Sequence, residues 1–348
     1  MKIRSLLDYA VLAPSGDNCQ PWRFRVTESA LELYNVPEAD TSLYNFGQRA
    51  SIVAHGAAIE NICIAARQNG LRPVVSVFPN RQKENHVASV SFSASEPETE
   101  PLFPAIAERT TNRRLYEQKS LSDNQVVSLS KCVEGEGFVR LAVKPDELSA
   151  LARPIAINDA IAFENEHIHK FLFDHIRWSD EEAERTRDGL FVGTLELTAP
   201  DKIGFRLLKS WGVAGFLGAF GVPKIIAQNA VKLGMSASAI GVVAMPDDTL
   251  ENYLAGGRLF QRVWLEATRL GLAFHPMAGI ACLIQRVRAG ITDRLSDRHC
   301  KQLRAADDSM RKAFGLKDEA MVMTFRVGFA SSPSARSLRL PVNDVMLD

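Results

Sequence analysis

The sequence has no surplus of charge: 41 Lys and Arg stand against 41 Asp and Glu, so the formal net charge is zero. A neutral chain lacks the broad basic footprint of nucleic-acid binding and the polybasic patch of a membrane-surface binder. No nucleic-acid partner is expected, and any anion site must be local. Cysteine is scarce and scattered, with Cys19, Cys63, Cys132, Cys282 and Cys300 far apart. An odd count without close pairs fits neither a disulfide framework nor a zinc site, so a reducing compartment is the default and no metal is expected. Long apolar runs are missing too. The N-terminal MKIRSLLDYAVLAPSGDN is interrupted by Asp8 and does not read as a signal peptide. The segment SWGVAGFLGAFGVP at 210–223 is rich in Gly, closes at Pro223 and falls short of the ~18 apolar residues of a membrane span. It reads as a buried or lid-like helical hairpin near 203–235, with a membrane-surface contact as the weaker alternative. A cytoplasmic chain without a membrane partner is the expectation. Catalytic signatures are equally absent: there is no GxSxG, HExxH, Walker loop or GxGxxG. Hydrolysis, phosphoryl transfer and ordinary dinucleotide binding lose ground, and the chemistry is expected to belong to a cofactor, with no catalytic side chain assigned.

A hydrophobic fraction of 46% leaves ample material for a core. Residues 3–12 read as a helix, followed by strands at 22–27 and 31–36, a helix at 51–70 ending on Gly70, and strands at 73–78 and 86–92. SASEPETEPLFP, charged and prolyl, marks a connector, and a boundary is placed near residue 100. A helix capped at Ser122, a helix around 158–178, the apolar hairpin, a strand at 239–244, a helix at 253–270 and a strand at 320–329 follow. AARQNGLRPVVSVF and EATRLGLAFHPMAGI share a helix, a Gly-Leu exit and an extended continuation, which points to duplication. The expected fold is α+β, mixed sheets flanked by helices, in two related halves at 1–100 and 101–348, the second carrying the insertion.

Three clusters could hold a planar, phosphate-bearing group. In APSGDNCQPW, Ser15 and Asn18 offer hydroxyl and amide groups near free backbone donors at Gly16. The bland alternative is a turn whose side chains satisfy their own backbone. In RTTNRR, Arg109 and Arg113 lie four apart with a hydroxyl between, a spacing that can fork two guanidiniums onto one phosphate; the alternative is a solvated basic turn. In HPMAG, Pro276 and Met277 can press on a ring face while backbone N–H groups of Ala278 and Gly279 meet its edge, or the segment is a strand start with a buried Met. His167, His169 and His175 share a helix but point apart. His275 is either a substrate contact or, more plainly, a buried hydrogen-bonded ring. Cys19 is either redox-sensitive or inert packing.

Taken in order, these clusters resemble the nitroreductase superfamily. APSGDNCQPWRF looks like its AxSxxNxQPWxF turn, ERTTNRRLYEQ like RxSxR with Thr111 in the Ser place, and LGLAFHPMAGI like LGxxxxPxxG. RVGFASSPSARSLRLPVNDV resembles the closing Arg-bearing arm. Because APS precedes RxSxR, the chain resembles the twin-domain Acg-like group, a fused pseudo-dimer with one FMN. The resemblance implies that Arg109, Thr111, Arg113 and Arg339 hold phosphate and ribityl. Ser15, Gly16, Asn18 and Gln20 come from the first half, and the ring lies near Pro276, Met277, Ala278 and Gly279. It implies an NAD(P)H-dependent FMN oxidoreductase acting on a nitro, quinone or similar small electrophile. A lidded flavin-sequestering protein, or a maturation oxidoreductase for a modified peptide or metabolite, are the alternatives. Ala278 stands where many relatives carry Glu. A monomer or weak homodimer is expected.

Overall fold

The computed structural model describes residues 3–80, 82, 85–133 and 135–347. The first third opens with a 3₁₀ turn at Ile3–Leu6 and a short helix α1 (Leu7–Ala10). Strands β1 (Trp22–Val26) and β2 (Ala30–Asn35), helix α2 (Arg49–Gln68), and strands β3 (Leu71–Val77) and β4 (His86–Ala94) follow. Helices α3 (Phe103–Glu108) and α4 (Asp123–Ser130) lead into the rest, α4 starting on a capping box between Ser122 and Gln125. Then come β5 (Phe138–Ala142), α5 (Pro145–Glu164), α6 (Glu166–Asp174), β6 (Ile176–Arg177), α7 (Asp180–Thr186) and β7 (Leu190–Phe191). Next are α8 (Ala199–Leu207), α9 (Trp211–Ala219), α10 (Val222–Met235), β8 (Ala239–Met245), α11 (Leu250–Arg269) and β9 (Ala273–Pro276). The chain closes with α12 (Ala278–Arg288), α13 (Asp297–Phe314) and β10 (Ala320–Gly328). Among the described residues, no helix is long and apolar enough to cross a membrane.

The α+β class holds, and two four-stranded sheets carry it, ordered β1-β2-β4-β3 and β5-β8-β10-β9. Where mixed sheets were expected, every strand pairing within these two is antiparallel; among the described residues, parallel pairing joins β6 to β7 and, as an isolated bridge, Phe24 to Met346. Both sheets follow one plan: two strands, a long helix, then an edge strand and the strand inserted beside it. In the second sheet, α5 to α10 are spliced between its first and second strands. β2 alternates buried and half-buried positions, as a one-sided sheet does, whereas β8 and β10 are buried throughout. Apolar side chains from α2 and α11 and the facing surfaces of both sheets form one core, including Leu31, Leu33, Val90, Val243, Phe325 and Val327. α5, α12 and α13 cover the other side of the second sheet with a second core.

α2 and α11 cross at van der Waals range. A Cβ on Gly56 would fall on the Leu254 carbonyl oxygen, and a Cβ on Gly257 would fall on that of Val53. The two contacts are reciprocal, since Val53 precedes Gly56 by the same step that separates Leu254 from Gly257. Polar pairs lock the crossing: Gln261 Nε2 donates to Asn61 Oδ1 (2.7 Å), and the fully buried Glu60 accepts from Arg258 (2.9 Å) and Arg262 (2.7 Å).

The helix expected at 158–178 is two helices, because the chain turns at Asn165, whose side chain caps α6 by accepting from His167 N and Ile168 N. β5, α12 and α13 were not anticipated. α13 has the polar-apolar spacing of an amphipathic helix with a Ser296 cap and a Gly315 stop, and that signal was readable.

Candidate functional site

A cavity of about 990 Å³ opens beside the α2–α11 crossing, at the upper end of the ~300–1,000 Å³ usual for small-molecule sites. Ser15, Gly16, Asn18, Arg109, Thr111, Arg113, Pro276, Met277, Ala278, Gly279 and Arg339 all line it. Segments nearly the whole chain apart thus share one wall.

The APSGDN turn reaches it through strained backbone. Ser15 is extended, and then Asp17 (φ 43), Asn18 (φ 58) and Gln20 (φ 50) take left-handed conformations that cost a non-glycine residue on the order of 1 kcal/mol or more. Hydrogen bonds hold the turn: Gln20 N donates to Ser15 Oγ (2.9 Å), and Asn18 Nδ2 donates to Leu338 O (3.0 Å). Gln20 differs from its expected role. It is buried away from the cavity lining, where its amide donates to Arg187 O (2.9 Å) and accepts from Leu340 N (2.8 Å). Its side chain ties the turn to the C-terminal arm.

Residues 109–116 carry no regular structure and are pinned to the second sheet. Asn112 N donates to Phe274 O (2.8 Å), Asn112 Nδ2 to Ser331 O (2.9 Å), and Tyr116 Oη to Asn112 O (2.9 Å). Arg109 is buried over the Trp264 ring at 4.3 Å and donates to Leu12 O (2.8 Å), while its Nε is buried without a partner. Arg339 donates to Ala13 O (3.2 Å) and Asn18 Oδ1 (2.8 Å). Arg336, which the sequence reading passed over, donates to Ala107 O (2.7 Å) and Arg109 O (2.8 Å). Burial, then the charges of Arg339 and Arg336, pull the Arg109 guanidinium well below its ordinary range; burial and Arg336 bring Arg339 down to about 10. Among the described residues no salt bridge joins any of the three to a carboxylate. Three cations held together without an ion-paired carboxylate have the chemistry to hold an anion.

Arg113 belongs to a different neighbourhood. It donates to Thr194 O (3.1 Å), and the charges that offset its burial are those of Asp17, Tyr116 and Glu196. Arg109 and Arg113, expected to fork onto one phosphate, both line the cavity, but the charges acting on Arg109 are those of Arg339 and Arg336; outside a helix, four residues can span up to about 13 Å.

Opposite lies the third cluster. Thr324 clamps Met277, donating from Oγ1 to Met277 O (2.6 Å) and accepting Met277 N on its carbonyl (2.8 Å). α12 starts at Ala278, so the backbone donors of Ala278 and Gly279 are the free N–H groups of a helix N-terminus. His275 accepts on Nδ1 from Arg326 Nε (3.2 Å), and burial with the nearby Arg326 and Arg113 charges pushes it well below its ordinary value, so the ring is neutral. Its plainer reading, a hydrogen-bonded ring, describes it, though it also borders the cavity. Burial pushes the Cys19 thiol up, away from reactivity. His169 is buried with Nε2 on Leu208 O (2.8 Å).

An acidic wall, which no motif signalled, faces the cavity. Asp17, Asp40 and Asp159 all border the cavity with raised pKa values, burial being the largest cause for each; Asp17 stands at about 6, with Asp40 adding to the rise and His175 and Arg113 opposing it. Apolar parts of the lining come from the insertion, through Phe205, Ile226, Ala230 and Leu233, and from α2, α11 and β10, through Val53, Ala57, Phe260 and Met323.

No protein-family model matches the chain. An uncharacterized protein of Mycobacterium tuberculosis (strain CDC 1551 / Oshkosh) is 27% identical over 333 residues, covering 95% of this chain but 46% of that protein, so the chain spans about half the length of this relative. Two proteins of M. tuberculosis (strain H37Rv) named "Putative NAD(P)H nitroreductase", Rv3131 and acg, are 27% and 25% identical over 79% and 78% of this chain and 75% and 78% of their own. The FMN-dependent nitroreductase NfnB of Mycobacterium smegmatis, solved with NADPH, superimposes with a TM-score of 0.36 at 14% identity over 70% of this chain and 96% of that one. The chain is thus similar, at 25–27% identity, to proteins that bear the name nitroreductase, acg among them.

Proposed function

We propose that the chain is an FMN-dependent oxidoreductase that takes reducing equivalents from NAD(P)H and passes them to a small electrophile such as a nitro compound or quinone. The observation that carries this reading is the trio Arg109, Arg336 and Arg339, three guanidiniums that line a cavity large enough for a flavin and are ion-paired to no carboxylate among the described residues. The residues fit the group. The trio would take the phosphate, the buried and unpartnered Arg109 Nε being a donor in waiting. Thr111, Ser15 and Asn18 would meet the polyol, and Met277 with the helix N-terminus at Ala278 and Gly279 would border the ring. When bound, FMN supplies two-electron transfer between a nicotinamide and the acceptor. The chain's own share would be positional: Arg113, set apart from the trio, would supply a further positive charge in the cavity wall, and the apolar helices of the insertion would exclude water.

The two halves are read as a fused pseudo-dimer, divided near residue 100. Support comes from the common strand plan of the two sheets, the shared Gly-Leu exits of α2 and α11, and the reciprocal Gly56 and Gly257 contacts. One composite site per chain follows, with Ser15 and Asn18 from the first half and the arginines from the second. A monomer or weak homodimer follows too, since the pairing that other members make between subunits would be internal.

Anaerobic titration with FMN and then NADPH or NADH tests the reading. Prompt bleaching of bound flavin by nicotinamide supports a reductase; flavin that dithionite bleaches and nicotinamide does not favours sequestration beneath the insertion. R336Q, which leaves Arg109 and Arg339 in place, should weaken FMN binding roughly 10- to 100-fold, the loss of one charge-assisted contact of about 1.5–3 kcal/mol. Unchanged affinity would remove Arg336 from the site.

A further inference from the structure

The insertion has a second apolar side, turned away from the cavity. Ile203 (67% exposed) and Leu207 (63%) lie one turn apart on α8, Phe216 (67%) and Phe220 (71%) on α9, and Ile225 (56%) begins α10. The rings of Phe216 and Phe220 meet at 5.1 Å, so they present one joint surface to solvent. Large apolar side chains this exposed and this close in sequence mark an interaction surface. Their surroundings name the partner. Residues 199–235 carry Lys202, Arg206, Lys209, Lys224 and Lys232 against the single acid Asp201, in a chain whose net charge is zero. All five bases are exposed. Asp201 is occupied at the start of α8, where its carboxylate accepts from Thr198 Oγ1 (2.6 Å). Exposed bulky apolar groups interleaved along the chain with exposed Lys and Arg on short helices are the chemistry of an interfacial anchor on an anionic bilayer: rings and aliphatic chains enter the headgroup boundary while ammonium and guanidinium groups meet lipid phosphates.

We propose that α8, α9 and the start of α10 form a docking face for an anionic lipid bilayer. The expectation of a chain without a membrane partner rested on zero net charge and the lack of a spanning segment; neither bears on a local patch lying in the interface. The opposite side of the same helices, through Phe205, Ile226, Ala230 and Leu233, lines the cavity, so docking would set the cavity's apolar wall against the lipid.

The test is co-sedimentation of the full chain with vesicles of phosphatidylcholine alone or with 40% phosphatidylglycerol, at low and high salt. The variants are F216S/F220S and K202E/K209E. All four positions are exposed, so folding is preserved, and circular dichroism checks it. Binding to the anionic vesicles only, screened by salt and reduced roughly tenfold or more by each double variant, is the expected result. Absence of binding at low salt overturns the proposal, as does binding indifferent to both variants, or salt-independent self-association through the phenylalanines seen by size exclusion. None of these readouts involves flavin, so they stand apart from the outcome of the FMN titration.

Discussion

Asp17 shows how a single residue can record a function that its neighbours alone do not. It sits in left-handed backbone, in a turn held by four separate hydrogen bonds, and its carboxyl is carried up to about 6 by burial and by Asp40. A carboxyl whose folded pKa exceeds its unfolded value of 3.8 binds protons more tightly in the folded state. Its ionisation therefore costs stability that begins to be lost as pH rises past about 4, and the cost is complete above about 6. D17N removes the charge and should raise the melting temperature of the flavin-free chain relative to wild type at pH 7.5, with the gap closing at pH 4. A gap independent of pH would contradict the assignment. Arg109, Arg336 and Arg339 carry the opposite lesson. Two of them were readable because they sit in motifs, while Arg336 was not, since nothing in SSPSARSLRLP tells that this exposed arginine also reaches back to the cavity wall. The arm is fixed by contacts made to residues more than two hundred positions away, at Ala107 and Arg109.

Among elements, the α2–α11 crossing is where sequence and packing agree most closely. Both helices were legible from apolar spacing and their glycine exits, and their ends differ from expectation by one to three residues. The glycines within them were not legible as contacts, because a mid-helix glycine shows its purpose only when the partner carbonyl is known. G257A should cost about 1–3 kcal/mol or more, since the added methyl must push α2 away from a backbone oxygen that cannot rotate aside. Denaturant unfolding reads this, and a loss below ~0.5 kcal/mol would show that the crossing is looser than described. Strands β8 and β10 were found because continuous apolar runs flag two-sided burial. β5 was missed because its pattern is short and it is an edge strand whose one strand partner is β8. The insertion was recognised as apolar and helical, yet its division into three helices and its two-faced character depend on which side meets the cavity.

For the whole molecule, the account rests on one composite site formed across two halves with the same strand plan. The class of fold was readable from the alternation of strands and helices, and the grouping of the site from motif order. The antiparallel pairing, the acidic wall and the separation of Arg113 from the other arginines arise from tertiary placement, which periodicity does not encode. The most direct test is the number of FMN molecules retained per chain after saturation and gel filtration, measured by flavin absorbance against protein concentration. The account predicts one per chain, lost in an R109Q/R339Q double variant that remains folded by circular dichroism. Two per chain would contradict the single composite site, and none would contradict the cofactor itself.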